Sequence, residues 1–325
     1  MEEQKNDRTL EEFANELARQ IERRFFEDYG LSVEAKSHPV MKTNVEKQGI
    51  TVHFEDSNVA PTVYADVAYQ QYMDGDVSIP EVAEKMCEGV YEAHKHSPEI
   101  PELTPEEARK HITLTPVNSE KNQPLLDKTP HFEVLGGELS AIPRWYLNDN
   151  ASFVVSNDMC GTLGLTPDEV LKIGQQHIDS QHFEAIPMQE ILSEMMGGDF
   201  MEMMPPMDGP QMIVLTSDNK IQGSNALLSS EALDHVHDMI GDYVVLPSSI
   251  HEVICVPITG DMTPEDMREM VREVNMWQVA PEERLSDQIF KYDGQKLTVV
   301  GESFKMDTPK LDAPKIDELT VRMAM

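Results

Sequence analysis

Asp242–Asn275 reads DYVVLPSSIHEVICVPITGDMTPEDMREMVREVN, and its order of residue types decides the fold class. Tyr243-Val-Val-Leu246 and Val253-Ile-Cys-Val256 are β-branched, apolar runs of strand length, too short for helices. Between them Pro247-Ser248-Ser249 predicts a turn, because proline has no ladder donor and serine hydroxyls bond their own backbone. Thr263 has the profile of an N-cap, with Pro264 at the first helical position and Glu265 and Asp266 against the positive helix end. Met267, Met270, Val271 and Val274 then recur at helical spacing, with Arg268, Glu269, Arg272 and Glu273 on the other face. The stretch therefore predicts a hairpin with a helix laid over it, and an α+β fold of antiparallel hairpins covered by amphipathic helices.

Downstream, Ile289–Tyr292 and Lys296–Val300 flank Asp293-Gly294, a strong hairpin signal. Upstream, Ser230 predicts the cap of a helix through Leu233, Val236 and Ile240 to Gly241. Met212–Thr216 reads as a strand, Asn219-Lys220 as a turn, and Ile221 as the start of another extended piece. The cap word of Thr263 recurs as Leu165-Thr-Pro-Asp-Glu169, ahead of Val170, Ile173 and Ile178 on a helix. A third copy, Leu103-Thr-Pro-Glu-Glu107, has no clear apolar helix behind it. A duplicated strand–helix unit is one explanation; the other is that Thr-Pro-acid words recur because they cap well.

The first hundred residues read as an α-β-β-α unit. Thr9 and Glu12 form a capping box, and Leu10, Phe13, Leu17, Ile21 and Phe25 mark one helix face ending at Gly30. Leu31–Ala35, Gly49–Phe54 and Thr62–Tyr64 carry strand patterns, and Val82, Met86 and Val90 mark a helix capped by Ser78. Prolines at 98, 101 and 105 place a boundary near residue 100. The expected organisation is a unit over 1–100, a linker over 101–130, an α+β domain over 131–300, and a loose tail over 301–325. A methionine-rich insertion, 195–212, interrupts the second domain; Gly197-Gly198 and Pro205-Pro206 bar one regular element through it.

Net charge is −33, from 59 acidic and 26 basic residues in 325, with no basic patch, which argues against direct binding to a phosphate backbone. Cys87, Cys160 and Cys255 fit no zinc spacing and lie among apolar residues, as buried thiols in a reducing compartment would. The N-terminus has no signal-peptide pattern and no run reaches membrane-spanning length, so the expected location is the cytoplasm.

His251-Glu252 beside Ser248-Ser249 is where nucleophile, base and carboxylate types crowd together, as a hydroxyl activated by His251 would require. No G-x-S-x-G elbow accompanies them, and a turn with one polar pair is the plainer explanation. His235-x-His237 and His94-x-His96 diverge by about 200° on a helix, so neither pair grips one ion. With no HExxH, EF-hand loop or P-loop, neither a metal nor a cofactor is expected. Met201, Met203, Met204 and Met207 offer a pliable apolar surface for a partner, ahead of soft-ligand copper binding. Trp145 and Trp277 are expected to be packing residues.

Leu246-Pro-Ser-Ser-Ile-His-Glu-Val253, Met270-Val-Arg-Glu-Val-Asn275, Gln278-Val-Ala-Pro-Glu-Glu283 and Leu285-Ser-Asp287 carry a resemblance. The chain, from about Thr9 to Val300, resembles an uncharacterised domain-of-unknown-function family of Gram-positive anaerobic bacteria, often carried on mobile elements. The resemblance implies no established activity. The leading expectation is a non-enzymatic accessory factor that binds another protein. One alternative is a hydrolase using His251 with Ser248 or Ser249. Another is a nucleic-acid mimic, motivated by 15 acidic against 2 basic residues over 151–250. The residues leave the oligomeric state open.

Overall fold

The computed structural model describes residues 8–57, 59–97, 101–148, 151–196, 211–247, 249–258 and 263–301. Contacts divide the chain into two units, Met1–Pro101 and Glu102–Met325.

The first unit begins with α1 (Leu10–Tyr29), closed at its start by the Thr9/Glu12 capping box. Three antiparallel strands follow, β1 (Val33–Lys42), β2 (Val45–Phe54) and β3 (Thr62–Tyr64), in the order β1-β2-β3. Helices α2 (Asp66–Asp74) and α3 (Ile79–Lys95) complete it. The unit is thus fuller than the α-β-β-α shorthand: the patterns at Leu31–Ala35, Gly49–Phe54 and Thr62–Tyr64 each fall on a strand, and a short helix follows the third. β1 is also longer than Leu31–Ala35 suggested, running through Pro39. It is an edge strand, where proline's missing N–H need not break a ladder. Phe13, Leu17, Ile21 and Phe25 of α1 meet Ile50, Val52 and Phe54 of β2 and Val82, Cys87 and Val90 of α3 in one core. Burial pushes the Cys87 thiol up to about 11, which keeps it protonated and unreactive.

The second unit opens with α4 (Pro105–His111), capped by Thr104, and runs directly into β4 (Ile112–Asn118). Every residue of β4 is buried, so residues 101–130, expected as a linker, instead supply a sheet strand. Its ITLTPVN pattern alternates at first between apolar residues and threonine, yet Thr113 and Thr115 are buried too, because both faces are covered. After α5 (Gln123–Leu126) come β5 (Phe132–Val134), β6 (Leu139–Asn148) and β7 (Ala151–Val154). β4 lies on one edge of β6, and β5 and β7 pair with successive stretches of β6. Helices α6 (Asn157–Leu163) and α7 (Pro167–Ser180) follow, and Gly174 of α7 lies so near Leu114 that a Cβ would sit 2.8 Å from its side chain.

Next come β8 (Phe183–Pro187), α8 (Met188–Met196), β9 (Ile213–Ser217), a buried 3-10 turn at Gly223–Leu228, and α9 (Ser230–Ile240). Ile221 therefore leads into a 3-10 turn where an extended piece was expected, and the cap of α9 is Ser229. The quoted stretch forms β10 (Tyr243–Leu246), β11 (Glu252–Pro257) and α10 (Pro264–Trp277), and β12 (Phe290–Tyr292) and β13 (Leu297–Val299) close the sheet. The order is β13-β12-β10-β11-β9-β8, antiparallel throughout, so the quoted hairpin holds the two central positions.

Side chains alternate between sheet faces with period two, and here each set has its own core. Tyr243, Val245, Val253 and Cys255 join Leu233 and Val236 of α9. Val244, Leu246 and Val256 join Met267 and Val271 of α10. Each such side chain contributes about 1.5–3 kcal/mol through burial. Covering on both faces is why these runs carry almost no polar residue.

The register of α10 departs from its apolar pattern. Arg268, expected on the solvent side, is 5% exposed and donates to Glu265 and to the Val300 and Gly301 carbonyls, at 2.9, 2.7 and 3.1 Å. Asn275 is buried too, whereas Met270 faces solvent. Trp145 is fully buried as expected, but Trp277 is 80% exposed and is no packing residue. The four-stranded and six-stranded sheets differ in size and order, so the repeated Thr-Pro words start helices in unlike settings.

Candidate functional site

The turn after β10 is where the most distinctive sequence words meet. Pro247 O accepts from the Ser286 N–H, the Ile250 N–H donates to Glu283 O, and Ser249 bridges Arg284. On the other side, the Gly223 and Ser224 N–H groups donate to His251 O and Ile250 O, and Thr216 Oγ1 donates to His251 O at 2.8 Å. The turn is thus clamped by two segments far away in sequence, 216–224 and 283–286. Gly223 is required there: a Cβ would stand 2.2 Å from His251 O and 2.6 Å from Thr216 Cα.

A second layer of polar contacts surrounds the clamp. Ser286, fully buried, donates to Glu138 Oε1 at 2.5 Å, and Asn118 reaches the same oxygen at 3.4 Å. Asn275 on α10 donates to Ser286 O at 3.0 Å and to Asp287 Oδ1 at 2.6 Å. Glu138 comes from the β5–β6 connection, so this network ties the four-stranded sheet to the loop after α10. Gln222 Oε1, Ser224 Oγ and Asn225 Oδ1 are buried with no hydrogen-bond partner. Buried acceptors and hydroxyls of this kind are ordinarily satisfied by water.

The predicted catalytic group is only partly gathered. Ser249 is 6% exposed, and its Oγ accepts from the His251 backbone N–H at 3.0 Å. The His251 ring goes elsewhere: Nε2 lies 3.6 Å from Glu283 Oε1, a pair about one-third exposed on the histidine side. Glu252 begins β11 opposite Thr216. Ser248 lies outside the described residues, as do Met201, Met203, Met204 and Met207 and the segment from 302 onward. A His–Glu pair can hold and pass a proton, but nucleophilic catalysis also needs a hydroxyl in line with the ring.

His94 and His96 have different neighbours. His94 stacks on Phe54 with ring centroids 3.8 Å apart, while His96 Nδ1 lies 3.0 Å from Glu92 O. His237 Nε2 lies 3.1 Å from Asp242 Oδ1. At the β8–β9 end, His182 Nδ1 sits 2.6 Å from Asp218 Oδ1, and this hydrogen bond raises the His182 pKa. A raised histidine adds stability below its unfolded pKa and loses it as pH climbs through the folded value. Among the described residues, no three of His, Cys, Asp and Glu are grouped as a metal site would need.

Three residues of the neighbourhood escape the sequence pattern. Gly223 sits in Gln-Gly-Ser-Asn, a turn-type word whose composition is the available signal. Glu138 gives no local signal, since its partner is distant in sequence. Trp277 defies its expected packing role because polar Arg268 and Asn275 occupy buried positions of α10.

The chain belongs to a family of unknown function (DUF5688), whose model matches residues 10–294. Comparison with curated proteins and with solved structures gives no match. No helix among the described residues is long and apolar enough to cross a membrane.

Proposed function

We propose that this member of the family is a non-enzymatic accessory factor of the cytoplasm that works by binding another protein. The observation that carries this reading is Trp277: a large aromatic side chain left 80% exposed at the end of a helix whose opposite face is packed. Exposed tryptophan is costly to solvate and is the residue type most enriched at the centres of protein interfaces. The placement of the His251 ring beside Glu283 favours this reading over a hydrolase. A nucleic-acid mimic would share the acidity, but carboxylates alone would serve it, and an exposed aromatic group would not be needed. The test is purification of the tagged full chain from its own host at native abundance, with the mass of the complex measured. A defined complex heavier than the chain and its self-assemblies is expected; a chain that runs free of any other protein would overturn the reading.

A further inference from the structure

Resting on that reading, we propose that the outer flank of α10, centred on Met270 and Trp277, is the docking surface, and that its partner presents a basic, apolar segment such as an amphipathic cationic helix. Residues 270, 274 and 277 follow the i, i+4, i+7 spacing that puts side chains in one stripe of a helix. Met270 is 42% and Trp277 80% exposed, with Val274 half-buried between them, so the stripe continues the packed face outward into solvent. Its occupant is indicated by charge. The helical neighbours that flank Met270 and Trp277 on the solvent side are Asp266 and Glu273, with Glu269 beside them, all exposed. Arg272, the exposed cation of this helix, projects from the far side of the wheel and pairs with Glu265 at 3.5 Å.

An apolar stripe rimmed by carboxylates selects a partner that buries apolar side chains while matching lysine or arginine to the rim. The chain-wide charge of −33 adds long-range attraction for such a partner. A second copy is a poor occupant. A two-fold contact would set Asp266 and Glu273 of one copy against the same carboxylates of the other, without cations to relieve them.

The protein carries its own reporter, since of its two tryptophans Trp145 is fully buried and Trp277 exposed. Titrating the full chain with a synthetic Lys/Leu amphipathic helical peptide is expected to shift Trp277 emission to the blue, saturably and with weaker binding at higher salt. Calorimetry should show W277A and M270A each losing about tenfold in affinity, or 1.4 kcal/mol. A charge-matched Lys/Ser peptide should bind at least as weakly to the native chain. E269Q with E273Q should weaken binding and flatten its salt dependence. Equal binding of both peptides, or full affinity in W277A, would overturn the surface assignment while leaving a protein-binding role intact. Two further outcomes would also overturn it: a dimer in sedimentation whose Trp277 emission is already blue, or a red shift of that emission on truncation after Gly301, which would make the tail the occupant.

Discussion

Replacing Gly223 with alanine is expected to destabilise the second unit by about 3 kcal/mol or more, the upper end of what overpacking causes. The added methyl carbon would stand 2.2 Å from His251 O, 2.5 Å from Thr216 Oγ1 and 2.6 Å from Thr216 Cα. Two of those atoms are backbone, held by the β9–β11 pairing and by the Gly223 N–H bond to His251 O, so no side-chain rotation relieves the clash. Relief requires the 3-10 turn to leave the sheet, which would uncover Ala226 and Leu227 and part the clamp around the 247–251 turn. Gly161 is the control. It sits on α6, where an added methyl carbon would meet nothing within 4 Å, so G161A should gain about 0.5–1 kcal/mol from reduced unfolded-state entropy. Both tryptophans lie in the second unit, so denaturant unfolding followed by their emission reads this unit directly. Equal midpoints for G223A and G161A would show that Gly223 is not pressed against the turn.

The other large effect is expected at Trp145. This side chain is fully buried on β6, stacked between His111 and Phe153 with ring centroids 5.5 and 5.9 Å away. It fills the core formed with Ile112, Val155, Leu163 and Val170. Truncation to alanine removes the whole indole from that core and should cost about 3–5 kcal/mol. W145F should cost less than half as much. Phenylalanine keeps most of the packing, and it removes a buried Nε1–H that has no acceptor, which offsets part of the lost contact area. Circular dichroism during urea unfolding gives both midpoints. An equal loss for the two variants would mean that the ring's packing is not what matters at this position.

How far the sequence reveals this molecule depends on where each element's partners lie. The 243–257 hairpin and α10 are legible because their signals are local: β-branched runs, a proline turn and a capping box within one stretch. β4 is not, because Ile112-Thr-Leu-Thr-Pro-Val-Asn118 resembles a polar connection until both its faces are covered. The side of α10 that faces the sheet is hidden for a physical reason as well. Arg268 and Asn275 are polar residues buried against carbonyls from 300, 301 and 286, partners that no periodicity of the helix itself announces. Assigning Arg268 to solvent turns Met270 inward and hides Trp277. At the candidate site, the serine–histidine crowding is visible in the sequence, but the bonds that divide it are not. Ser249 serves its own turn and His251 faces Glu283, more than thirty positions downstream.

Amide hydrogen exchange across Glu102–Gly301 tests the placement of the 243–257 hairpin most directly. Strands paired on both sides and covered on both faces open only with the whole unit. Amides of 243–246 and 253–256 should therefore exchange slowest, with those of the edge strands Phe183–Pro187 and Leu297–Val299 ahead of them. Exchange at 243–246 as fast as at those edges would contradict a central hairpin and, with it, the roof that leaves Trp277 facing outward.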